Sequence, residues 1–280
     1  MKKIAIVQIN RLGDILQSIP AINAYKRLYP DHIVHLIVRK KFEEAAQLCP
    51  TADKIITLDT THILRPLIQN QPEIHQSLSN LETWLLTLAE ERYDIIFNLS
   101  YSPSSSWIVN FLEQHSGNTT QVKGYTRTTD GYLAIPDDMS AYVYAQCGIN
   151  KPNRFHLAEI FGTVLGVDLT IKDWKINLTQ TNHPSLEEIP DQFISLHINA
   201  SSKEKSLPPD VTVELLNNLA RTIPIPIVLL GSQKDMESVR EVIYRSKHPK
   251  IYNMVGLVNL NEAAHIISRS LLLIAPDSSL

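Results

Sequence analysis

Short, almost uniformly apolar runs alternate along this chain with segments of helical period, and no other feature narrows the fold as much. Runs at 4–9, 32–38, 54–58 and 94–99 read as strands, with a shorter one at 122–125. Between them, 15–28 places apolar residues close to a 3.6 period, 42–48 reads as a short helix closed by Cys49-Pro50, and 78–91 and 107–112 read as helices. Residues 126–152 read as an irregular connection with one short helix. The segment 154–165 is helical and ends at Gly166, a residue suited to the left-handed C′ position. The pattern restarts after 168–191, a polar stretch carrying Pro184 and Pro190, with strands at 193–198, 225–230, 251–255 and 271–274 and helices at 211–221, 235–244 and 260–268. Strands that lack polar alternation and are separated by helices specify parallel sheets covered on both faces. The expectation is an α/β chain of two Rossmann-like doubly wound domains, 1–167 and 192–280, joined by a linker at 168–191. Ligands of such folds meet the C-terminal ends of the strands, here in a cleft that the domains face.

Composition removes several classes. Net charge is −3, so no global basic field marks a nucleic-acid binder. The two cysteines, Cys49 and Cys147, have no CxxC spacing, which argues against a disulfide framework or a cysteine zinc site and fits a reducing cytoplasm. None of the ten histidines forms HExxH, and neither a metal nor a cofactor is expected. Lys2 and Lys3 before an apolar run imitate a secretory signal, but Arg11 and Asp14 interrupt a run that is already too short, so a first buried strand is expected. No stretch approaches the roughly 18 apolar residues of a spanning helix.

Four segments carry chemical potential. Asn10-Arg11-Leu12-Gly13-Asp14 joins the first strand to the first helix. Gly13 eases a tight turn, and Asp14, at the strand's C-terminal edge, reads either as a general base or as an ordinary helix cap. The segment from His197 to Pro208 offers Ser201, Ser202, Lys203 and Lys205 in a loop suited to phosphate. Lys205 there would neutralise a leaving diphosphate, and a solvated charged loop fits the residues equally. In the third, Gly231 closes a strand and Asp235 or Glu237 could hold ribose hydroxyls, or simply favour a first helical turn. The fourth ends a strand in Asp277-Ser278-Ser279, and the sequence stops at Leu280, from which a second domain cut short is expected.

In their order, these segments resemble glycosyltransferase family nine, the ADP-heptose:lipopolysaccharide heptosyltransferases. Further resemblance is carried by Ile19-Pro20-Ala21, Lys26-Arg27-Leu28-Tyr29-Pro30, Asn153-Arg154-Phe155-His156, Lys205-Ser206-Leu207-Pro208, Leu230-Gly231-Ser232 and Val255-Gly256-Leu257. The resemblance implies a GT-B fold and an inverting, metal-independent transfer of heptose from a nucleotide-diphosphate sugar such as ADP-heptose to a lipid-linked lipopolysaccharide-type acceptor. It implies Asp14 as catalytic base, with Arg11, Gly13 and His156 on the acceptor side. It implies Ser201, Lys205, Gly231, Asp235, Gly256, Leu257, Asp277 and Ser278 on the donor side. Where the family has glycine after Asp-Ser this chain has Ser279, which narrows the backbone's options at the phosphate turn. A phosphorylated acceptor implies local cations, for which Arg39-Lys40-Lys41 and Lys123 with Arg127 are candidates, though each also reads as solvated surface charge. The implied setting is the cytoplasm, peripheral on the inner face of the inner membrane. A hexosyltransferase of other glycans or proteins, or a non-catalytic nucleotide-sugar-binding homologue, are the alternatives on the same fold.

Overall fold

Three strands with nearly fully buried side chains fix the centre of the first half. In the computed structural model, which describes residues 1–117, 119–148, 150–179, 186–200, 203–223 and 225–276, the chain divides into two compact units, Met1–Asn177 and Leu178–Leu280. The first is built on β1 (Lys3–Val7), β2 (Ile33–Arg39), β3 (Lys54–Leu58), β4 (Ile95–Asn98) and β5 (Gln121–Gly124). These form one wholly parallel sheet in the order β3-β2-β1-β4-β5. Side chains alternate between faces along each strand. Ala5 and Val7 of β1, Ile37 and Ile96 pack on one face with Leu88, Ile108, Val109 and Leu112 of α4 (Ile74–Ala89) and α5 (Pro103–Ser116). Ile4 and Ile6, equally buried, point to the other face. Fully burying such a side chain contributes roughly 1.5–3 kcal/mol, so this sheet anchors whatever is mounted on its ends.

Helix α1 (Leu12–Leu28) packs along α7 (Leu157–Leu165). As expected, α7 ends at Gly166 in the left-handed conformation (φ 72°). It begins at Leu157 rather than 154, because the His156 Nδ1 accepts the Ala158 N–H and the Glu159 carboxylate accepts the His156 N–H. Between β3 and α4 lie the single-turn helix α3 (Thr60–Leu64) and a 3-10 turn at Arg65–Ile68, neither legible by period. A short helix α2 (Glu43–Gln47) precedes β3. The connection at 126–152 is more ordered than expected. A minimal antiparallel hairpin, β6 (Thr126–Arg127) with β7 (Leu133–Ala134), leads into α6 (Asp138–Gln146), capped by Asp137. The beginning of the stretch read as linker belongs to the first unit. A 3-10 turn at Ile171–Trp174 is fastened to α1 by the Arg27–Asp173 ion pair and by Asn23, which donates to the Asp173 and Lys175 carbonyls.

The second unit repeats the plan in smaller form. Its strands β8 (Ile194–His197), β9 (Ile227–Leu230), β10 (Ile251–Asn253) and β11 (Leu272–Ile274) form a parallel sheet in the order β10-β9-β8-β11. One face packs Ile194, Leu196, Ile227 and Leu229 on α8 (Pro209–Thr222) and α9 (Met236–Arg245). The other packs Phe193, Val228 and Leu230 on α10 (Leu260–Arg269). Among the described residues no helix is long and apolar enough to cross a membrane.

Candidate active site

In the first unit the strand order reverses between β1 and β4, and their two following loops flank the crevice that such a reversal opens. The loops are stitched together. The Ile9 N–H donates to Ser100 Oγ (2.8 Å), and Gln8 and Asn10 side-chain amides donate to the Leu99 and Ser100 carbonyls. Asp14 sits on this rim as the third residue of α1. It is not the helix cap: Arg11 holds that position, and the Asp14 carboxylate reaches back to the Arg11 N–H over a long 3.3 Å. Among the described residues this is the only hydrogen bond the carboxylate makes. Burial pushes the Asp14 carboxyl above its ordinary value of 3.8, against the opposing pull of the Arg11 N–H and the Arg11 charge. A half-buried, lightly bonded carboxylate is suited to take a proton.

Asp14 lines a cavity of about 680 Å³ with Asn10, Tyr101, Tyr125, Arg127, Tyr144, Lys151 and Phe161 among its walls. The aromatic rings offer flat apolar faces, and the two cations add positive charge. Arg127 is fixed by its Nε donating to Ser106 Oγ, by Nη1 donating to the Gly131 carbonyl, and by the Trp107 ring 4.8 Å away. Lys151 donates to the Tyr144 carbonyl at 2.7 Å. Among the described residues neither has a carboxylate partner. Tyr101 adopts φ +47°, a conformation bulky residues seldom take and one that gathers at functional sites.

Of the positions read from sequence, Arg11 is exposed at the cap of α1 and Gly13 lies beside Asp14 in its first turn. His156 caps α7 and is not in the cavity wall, which takes Leu157 and Phe161 from that region instead. Of the candidate cations, Arg127 lines the Asp14 cavity. Arg39 lines a second cavity beside it. Lys123 belongs to a third, with Lys2 and Gly166. The tyrosines and Lys151 carry no sequence signal, since only the fold gathers loops this far apart in the chain.

In the second unit the reversal falls between β8 and β11. Ser201, Asp277 and Ser278 lie outside the described residues. Lys205 is exposed in a 3-10 turn at Lys203–Lys205, and Ser206 Oγ accepts the Ala200 N–H. Gly231 and Gly256 come together: the Gly256 N–H donates to the Gly231 carbonyl at 3.0 Å. Gly256 has φ +70°, and a Cβ there would lie 2.4 Å from Gln233 Oε1, so only glycine fits without rearrangement. Leu257, the next residue, is exposed. Asp235 is held by three hydrogen bonds. It accepts the Ser232 N–H and Oγ–H, both at 2.7 Å, and the Asn199 amide at 2.9 Å. Those bonds fix the turn after β9. Glu237 is exposed in the first turn of α9.

The model of glycosyltransferase family 9 (heptosyltransferase) matches residues 85–280, a span that begins after Asp14. Among solved structures, a glycosyltransferase of family 9 from Veillonella parvula DSM 2008 superposes with a TM-score of 0.74 at 18% identity, over 98% of this chain and 75% of that one. The E. coli heptosyltransferase WaaC with ADP-2-deoxy-2-fluoro heptose gives 0.67 at 14% identity, over 99% and 83%. E. coli ADP-heptose lps heptosyltransferase II gives 0.66 at 16%, over 99% and 80%. These likenesses show the fold, an α/β architecture of parallel sheets of the GT-B kind. No curated protein matches the sequence.

Proposed function

Since the chain belongs to glycosyltransferase family 9 (heptosyltransferase), we propose that it is an inverting transferase that moves a heptose, or a related sugar, from a nucleoside-diphosphate donor to an anionic, lipid-linked glycan. The observation that carries this reading is the Asp14 carboxylate, half-buried and lightly bonded in a cavity walled by aromatic rings and by Arg127 and Lys151, which have no carboxylate partner among the described residues. Asp14 takes the proton of an acceptor hydroxyl. That oxygen bonds to the anomeric carbon from the face opposite the diphosphate, the bond from that carbon to the diphosphate oxygen breaks, and the nucleoside diphosphate departs with the electron pair. Arg127 and Lys151 fit an acceptor bearing phosphate or carboxylate groups.

The donor falls to the second unit. Lys205 and Ser201, with Asp277 and Ser278, meet the growing charge on the leaving diphosphate. The paired glycines, Gly231 and Gly256 with Leu257, let backbone approach the nucleotide. Asp235, held to its own turn with an acceptor position still open on Oδ1, or Glu237 beside it, is the ribose contact. The ligand named with WaaC makes ADP-heptose the first donor to test. A lipid-linked acceptor brings the chain to the inner face of the inner membrane as a peripheral cytoplasmic protein. The test is to incubate the chain with ADP-heptose and a lipopolysaccharide-core acceptor and read the product by mass spectrometry and its anomeric configuration by NMR. Heptosylated product of inverted configuration, lost in Asp14→Asn, is expected. Product of retained configuration, or undiminished transfer by the variant, contradicts the scheme.

A further inference from the structure

The first unit holds another cavity that the transfer chemistry does not use. It encloses about 800 Å³ and is walled by Leu58, Ile63, Leu64, Leu81, Leu85 and Phe111, from the end of β3 and from α3, α4 and α5. A cleft this large lies within the range of small-molecule sites, roughly 300–1,000 Å³, and its mainly apolar walls, with Thr60, Ser104, Asn110 and Gln114 among the polar residues that share the lining, favour apolar matter over water.

Two observations give the cavity a direction. Arg39 also lines it. The Arg39 Nε is buried without a hydrogen-bond partner, while one Nη donates to the Asn10 carbonyl. Among the described residues no carboxylate pairs with this guanidinium, and the charge that bears on it is that of Arg11, of like sign. A desolvated guanidinium short of an anion is best completed by a phosphate or carboxylate. In addition, Asn10 lines both this cavity and the one that contains Asp14. The two spaces therefore meet at the loop after β1.

We propose that this cavity receives an aliphatic chain of the acceptor, with the chain's phosphate against Arg39 and the glycan continuing past Asn10 toward Asp14. The inference rests on the acceptor reading above and adds to it the place where the lipid is held. It makes the site one for an amphiphile whose chain and phosphate are read together, rather than for a free sugar.

The experiment is calorimetric titration of the full chain with hexyl, octyl and decyl phosphate below their micelle concentrations, with inorganic phosphate as reference. Each buried methylene tightens binding roughly fourfold, so the dissociation constant is expected to fall about fifteenfold per step of the series until the cavity is filled. Leu64→Asp, on the half-exposed wall where a charge spares the core, flattens that slope. Ser104→Trp, at the rim, flattens it by bulk. Arg39→Gln weakens all three ligands about tenfold and keeps the slope. Affinity independent of chain length overturns the proposal, as does a slope that survives both wall variants, which would mark adsorption elsewhere. Sugar transfer without a chain-length slope defeats this inference alone. A slope without transfer supports the cavity and defeats the transferase reading.

Discussion

Asp14 in the first unit and Asp235 in the second each follow three residues after the cap of a helical turn, just past a strand, and they are held in opposite ways. Asp235 accepts three hydrogen bonds of 2.7–2.9 Å, from Ser232 twice and from Asn199. Asp14 accepts one of 3.3 Å and is pushed above its ordinary pKa by burial. Sequence position treats the two alike. The difference is where the donors are: Asp235 has a serine cap and an asparagine at hand, whereas Asp14 has an arginine cap that offers it a backbone N–H. An acid whose lone pairs are mostly spent shapes a loop, and one whose lone pairs are free can accept a proton.

Variants at the two positions should separate accordingly. The largest effect is expected in transfer: if Asp14 is the general base proposed above, Asp14→Asn lowers the turnover rate by about 10²–10⁴, measured in a single-turnover assay, with the fold intact. Because the folded pKa of Asp14 is raised, its ionisation costs stability as pH rises through and beyond 3.8. The same variant should therefore melt no lower, and slightly higher, than the parent at neutral pH. Asp235→Ala should do the reverse, costing about 1.5 kcal/mol in denaturant unfolding of the second unit by removing three hydrogen bonds, two of them with exposed Ser232. Asn199→Ala, which removes one of those bonds and another to Ser238, should cost about 1 kcal/mol. A melting point unmoved in Asp235→Ala would dissolve the contrast.

Glu91 sharpens it within the first unit. Lys3 and Lys54 bond its carboxylate and pull its pKa from 4.5 to about 2. Its folded value is depressed, so its contribution is complete above the unfolded value and is lost as pH falls toward 2. Glu91→Gln should cost about 1 kcal/mol at neutral pH, a figure appropriate to partly exposed ion pairs. The gap between variant and parent should close between pH 4.5 and 2 in acid titrations followed by circular dichroism. A gap that stays constant across that range would remove Glu91 as the counterpart of Asp14.

Much of the scaffold was legible because buried parallel strands announce themselves. The run 54–58 is β3, and 4–9, 32–38 and 94–99 differ from β1, β2 and β4 by one or two residues at their ends. Helix starts were harder. Helix α5 begins at Pro103, capped by Ser102, because its first turn is Ser104-Ser105-Ser106 and shows no apolar period. The five residues of α3 are too few to show one, and the hairpin strands β6 and β7 have two residues each. Within the site, Asp14 was found from its place after the first strand, and Arg127 was singled out as a cation without its location. Tyr101, Tyr144 and Lys151 were not, because nothing local in the chain encodes which distant loops share a crevice. Asp235 and Glu237 read alike as ribose contacts, and the hydrogen bonds that hold Asp235 to its own turn leave no trace in spacing.

The proposed transfer depends on the state of one carboxyl group. Site-resolved carbon-13 NMR titration of Asp14 in the intact chain measures that state without assuming donor or acceptor. A midpoint above 3.8 is predicted. A midpoint at or below that value would mean that Arg11, through its N–H and its charge, and not burial, governs the group, and would contradict its assignment as the proton acceptor.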